Sequence, residues 1–119
     1  MTVSRTIPLS LHGALEMIAA PAIMFAPLLL GLGTTTDVIA FVLGAILLGH
    51  SLSIYGARRP IPLSAHAGFD YVLAISAILA GAGIGIATGD GLAATFLVGV
   101  GVAQMALTAT TRFSVPRGV

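Results

Sequence analysis

The chain has no cysteine, lysine, asparagine or tryptophan. Without cysteine it can build neither a disulfide, nor a thiolate metal site, nor a thiol nucleophile. Charge is also scarce, with 8% of the 119 residues ionised as Asp, Glu, Lys or Arg, whereas soluble chains carry roughly a quarter. So little polar surface cannot cover a water-soluble globule. The five basic residues are all arginine and lie scattered, which gives no patch for nucleic acid. No P-loop, no GxGxxG after a strand and no GxSxG occurs. The expectation is a chain with no catalytic residue and no cofactor, hence not an enzyme.

What it does have is long apolar runs. Hydrophobic residues make up 57% of the chain, and mean hydropathy is +1.08. A bilayer core of about 30 Å needs roughly 20 apolar residues as helix. Four stretches qualify, at about 11–33, 38–57, 65–87 and 92–110. Polar turns at Gly33–Asp37 and Thr88–Gly91, and the proline-bearing linker Gly56–Pro62, separate them. The first stretch is too long for a signal peptide and carries His12 and Glu16, so it reads as a true span. Ser10 and Ser64 are expected to cap the first and third helices, and Asp37 and Asp90 the second and fourth.

With four spans, the N-terminus, the central linker and the C-terminus share one side. Arg5, Arg58, Arg59, Arg112 and Arg117 all fall there, and none falls in the two short turns. By the positive-inside rule that side is cytoplasmic. The arginine bias points to a GC-rich bacterial genome and so to a bacterial inner membrane.

The chain also repeats itself. Arg5-Thr6-Ile7-Pro8-Leu9-Ser10-Leu11-His12 returns 54 residues later as Arg59-Pro60-Ile61-Pro62-Leu63-Ser64-Ala65-His66, and Glu16 returns as Asp70. Held without a gap, the same offset pairs Gly31 with Gly85, Thr34 with Thr88, and His50 with Gln104. The units are 5–58 and 59–112. Each holds two spans, an even number, so both enter the membrane in the same direction and are related by an axis along its normal. The expected fold is all-α: a polytopic membrane protein, a four-transmembrane-helix bundle of two tandem parallel helical hairpins.

Lipid gives helices no hydrophobic reason to associate, so small and polar residues must hold them together. Gly81, Gly83 and Gly85, then Gly99, Gly101 and Ala103 (with Gly99 and Ala103 four apart on one face), and the pair Ala45 and Gly49 are the expected close-approach surfaces. Pro21 and Pro27 interrupt the first span only and are expected to bend it to the bundle's shape.

Ionisable groups inside a membrane cost about 2.5–3.5 kcal/mol each at its centre and usually have a use. His12 and Glu16 are four apart, on one helical face. His66 and Asp70 repeat that spacing, while His50 and Gln104 lie at the same depth on the second and fourth spans. These six residues form the candidate polar cluster. As a clamp, the carboxylates would accept hydrogen bonds from histidine, glutamine or an arginine reaching in. As a proton site, the same groups would serve a small proton-coupled transporter. Metal or haem ligation by His12, Glu16, His50, His66 and Asp70 is the third reading. Glutamine is a poor ligand in place of a second histidine, so no metal is expected.

The two halves share a His and an acid four apart, as in His12-Gly13-Ala14-Leu15-Glu16 and His66-Ala67-Gly68-Phe69-Asp70. The first half adds Ala26-Pro27-Leu28-Leu29-Leu30-Gly31, and the second ends in Thr111-Arg112-Phe113. This pattern resembles the SPW-repeat family of small bacterial four-span membrane proteins. Ala26-Pro27-Leu28 and Ala80-Gly81-Ala82 stand where that family has its Ser-Pro-Trp tripeptide. The resemblance implies a fold and a location, and it transfers no site residue.

The functional expectation is therefore a non-enzymatic integral membrane protein, a scaffold or accessory subunit that self-associates or joins a membrane complex. Its surroundings are the lipid bilayer, and nucleic acid is excluded. The alternative is the proton-coupled transporter.

Overall fold

The computed structural model describes residues 5–55 and 62–113. Arg58, Arg59 and Arg117, and most of the central linker, lie outside these. Four helices follow in order: α1 (Leu9–Leu30), α2 (Thr34–Leu52), α3 (Leu63–Thr88) and α4 (Gly91–Ala109). A 3-10 turn over Ser53–Tyr55 extends α2. All four are long and apolar enough to cross a membrane. The architecture is an all-α bundle of two helical hairpins, α1 with α2 and α3 with α4.

The distribution of polarity is inverted from that of a soluble protein. Leu29 and Ile86 are 87% and 88% exposed, and Ile18 and Leu79 also face outward. Several of the largest fully buried side chains are polar: His12, His66, Glu16, Thr111 and Asp70. Much of the remaining interior is alanine and glycine. An apolar exterior around a small, partly polar interior suits lipid as solvent.

Helix starts differ from expectation. Pro8 and Pro62, not Ser10 and Ser64, are the N-caps, with extended ψ of 153° and 148°. Their carbonyls open the helical ladders by accepting from the His12 and His66 N–H groups. Each serine is thereby carried to the second helical position. Asp90 does cap α4, its carboxylate accepting from the Ala93 N–H at 3.0 Å. Asp37 does not cap α2: Gly33 is the N-cap and Asp37 lies inside the first turn. There it still meets the positive end of the helix dipole.

The gapless 54-residue register fails in the second helix of each hairpin. The first helices begin at Leu9 and Leu63, 54 apart, while the second begin at Thr34 and Gly91, 57 apart. Gly31 ends α1 in the left-handed region, at φ 67°, a conformation glycine adopts without a Cβ penalty. Its sequence partner Gly85 stays helical, and α3 continues to a left-handed cap at Gly89. α3 is therefore 26 residues long against 22 for α1. The buried positions of α2 and α4 confirm the offset of 57, since Thr36, Ala40, Gly44 and Ser51 correspond to Ala93, Leu97, Gly101 and Thr108. Gln104 thus stands where α2 has Leu47, not His50.

Close approach uses three of the six expected glycines, and Gly44 besides. A Cβ on Gly44 would lie 2.8 Å from the Ala20 carbonyl, and one on Gly101 2.5 Å from that of Ala74. Gly81 and Gly85 do pack against α4. Gly83, Gly99 and Gly49 meet nothing within 4 Å, and Ala45 and Ala103 are exposed. Pro27 is buried in α1, which runs unbroken through it and Pro21.

Candidate functional site

All six residues of the expected cluster converge at one end of the bundle. His12 and His66 lie in the first turn of α1 and α3, with Glu16 and Asp70 one turn further in. His50 enters from the last turn of α2, and Gln104 from α4. Because α1 and α3 start at the same end, the two His–acid faces point at each other.

The contacts are reciprocal. His12 Nε2 lies 3.0 Å from Glu16 Oε1 on its own helix and 2.9 Å from Asp70 Oδ2 across the hairpins. His66 Nε2 lies 3.3 Å from Asp70 Oδ2 and 3.5 Å from Glu16 Oε1. Each imidazole therefore faces both carboxylates. Gln104 Nε2 donates to Glu16 Oε2, and His50 Nε2 lies 3.3 Å from Asp70 Oδ1. Among the described residues histidine and glutamine supply these contacts, and no arginine pairs with either carboxylate.

Hydrogen bonding fixes the protons on three ring nitrogens. The Thr111 hydroxyl donates to the Leu107 carbonyl at 2.6 Å, so it must accept from His12 Nδ1–H at 2.8 Å. The Asp70 carboxylate can only accept, so His12 Nε2 also donates, at 2.9 Å, and would give up that proton to any metal ion bound there. The His66 carbonyl can only accept, so His50 Nε2 is protonated and donates to it at 3.0 Å. Stacking of the His50 and His66 rings, with centroids 3.5 Å apart, locks this arrangement.

The centre is sealed. His12, Glu16 and Asp70 are fully buried and His66 is 1% exposed. Ile7 pairs with Thr110 and Arg112 through two backbone hydrogen bonds, drawing the segment before α1 against the one after α4. That pairing sets Phe113 edge-on to His12, with centroids 5.0 Å apart. Tyr55 closes the first hairpin by donating to the Ser10 carbonyl, its ring occupying the space that a side chain on Gly13 would need.

Thr111, His12 and Asp70 stand in the order nucleophile, base, acid, yet the hydroxyl is no nucleophile. Its proton is committed to Leu107, and Thr111 is fully buried. Sequence reasoning did not foresee Thr111, Phe113 or Tyr55 as parts of the centre. Their only signal is that they border helix ends bearing the histidines' depth. No family model, curated protein or solved structure matches the chain.

Proposed function

We propose that this is a non-catalytic multi-pass protein of the bacterial inner membrane, an accessory or self-associating subunit, with the SPW-repeat-like pattern supporting its fold and location. Its termini face the cytoplasm, as the arginine distribution argues. The polar centre serves as the clamp that fixes one hairpin against the other.

The sealing of that centre carries this reading. Four side chains at most 1% exposed, in close contact with one another and covered by Phe113, suit holding helices in place better than handling a solute. The outward small-residue pairs Ala45–Gly49 and Gly99–Ala103 supply faces on which another helix can come close.

Two measurements test it. Chemical cross-linking in the native membrane should trap one constant neighbour, either a second copy or a partner subunit. Glu16→Gln and Asp70→Asn should lower the melting temperature of the purified protein in detergent without changing any solute flux. Unchanged melting in both variants overturns the clamp. Proton release on adding solutes to the purified protein would replace it with the proton-coupled transporter.

A further inference from the structure

We propose that His12, Glu16, His66 and Asp70 form a structural binding site for one divalent transition-metal ion, with Zn²⁺ the best fit. The site uses the same side chains as the clamp, and their geometry favours an ion whichever membrane role the protein has.

One atom from each of the four residues, an imidazole nitrogen or a carboxylate oxygen, lies within 4.8 Å of all the others. Zn²⁺ bonds to nitrogen and oxygen at about 2.0–2.1 Å, which makes a tetrahedral edge about 3.3–3.4 Å. The four nitrogen–oxygen edges here are 2.9, 3.0, 3.3 and 3.5 Å. Four of the six edges are thus near the tetrahedral value and the remaining two are no longer than 4.8 Å, so side-chain rotation can close the shell without moving a helix.

Three further observations point to an ion. Glu16 Oε1 and His66 Nε2, which both face the centre, are buried with no satisfied hydrogen bond, a costly state unless something occupies the space between them. The outer atoms of the ligands are held as a metal site requires. His12 Nδ1–H is fixed by Thr111, which leaves Nε2 facing inward as the ligand atom once its proton is displaced, and Glu16 Oε2 is fixed by Gln104. Finally, two carboxylates and two neutral imidazoles sum to a charge of minus two, which one divalent ion cancels at the edge of a low-dielectric interior.

The donor set selects the class of ion. Two imidazole nitrogens disfavour Ca²⁺ and Mg²⁺, which take oxygen shells. Four protein ligands with no open position describe a structural site rather than a catalytic one. The carboxylates fill the space between the imidazoles that a haem would need. Gln104 does not stand in for a ligand histidine: it is the counterpart of Leu47 and supports Glu16 from outside.

The test is titration of the purified full-length protein in detergent with Co²⁺, followed by Zn²⁺. The expected result is one Co²⁺ per chain with the strong visible absorption of tetrahedral coordination, abolished by stoichiometric Zn²⁺. Asp70→Asn and Glu16→Gln should weaken Co²⁺ binding by about 100-fold or more, and Asp90→Asn in the distant turn should leave it unchanged. Absence of stoichiometric binding to folded wild-type protein, a weak octahedral spectrum, or binding that persists in both variants overturns the proposal. The wild-type spectrum decides even if a variant fails to fold. Loss of stability in Asp70→Asn together with no Co²⁺ binding by the wild type would leave a metal-free clamp.

Discussion

Two interfaces hold this molecule together, and they are made of different material. Inside each hairpin the helices touch along their length, with Gly44 set against Ala20 and Gly101 against Ala74. Between hairpins contact is sparse and is concentrated where His12, Glu16, His66 and Asp70 meet. The first interface is dispersion between small residues, tolerant of environment and intolerant of added atoms. The second is a few charged and polar atoms, indifferent to volume and intolerant of losing a partner. Two apolar hairpins can pair in many ways, so the polar centre supplies the specificity that apolar faces lack.

The sharpest break is Asp70→Ala. It removes the acceptor facing His12, His50 and His66 and strands three imidazoles, at a cost of about 3–5 kcal/mol. Cross-links between α1 and α3 should disappear while cross-links between α3 and α4 persist. Next comes Gly101→Val, which places side-chain atoms against the Ala74 carbonyl and Ile78. Overpacking of this kind costs about 1–3 kcal/mol, and here the opposite cross-links should weaken first. The matched control Gly99→Val faces open space and should change the melting free energy by about 0.5 kcal/mol or less. Between Gly101→Val and its control lies Gln104→Leu, which copies Leu47 at the corresponding position and removes one bond to Glu16. Its cost is about 1 kcal/mol. A Gln104→His change should not restore the loss, because position 104 is not where α2 carries His50.

Much of this was legible in the sequence, for physical reasons. Spanning helices declare themselves by length and hydropathy, and the expected spans lie within a few residues of α1 to α4. His12 with Glu16, and His66 with Asp70, were readable because a spacing of four fixes a shared face whatever surrounds it. What the sequence hid depends on backbone conformation. Gly31 and Gly85 look alike as letters, yet one turns left-handed and the other continues the helix. That single difference moves α4 by most of a turn and misassigns Gln104. Glycine faces were equally ambiguous, since Gly99 and Gly101 are two residues apart and face opposite ways. Thr111 and Phe113 join the centre only through the pairing of Ile7 with Thr110 and Arg112, a contact across nearly the whole chain.

That last contact sets the order in which the protein can be finished. As the chain emerges from a ribosome, the first hairpin enters the bilayer with His12 and Glu16 already side by side and Asp70 not yet made. Gln104 and Thr111, which steady those two side chains, are delivered later still, after both carboxylates and all three histidines. The earliest hairpin must wait in the membrane with half a polar centre until the last helix arrives to close it. A nascent chain interrupted after α3 would therefore present an unfinished polar notch to the lipid, a mark by which membrane quality control could tell it from the completed fold.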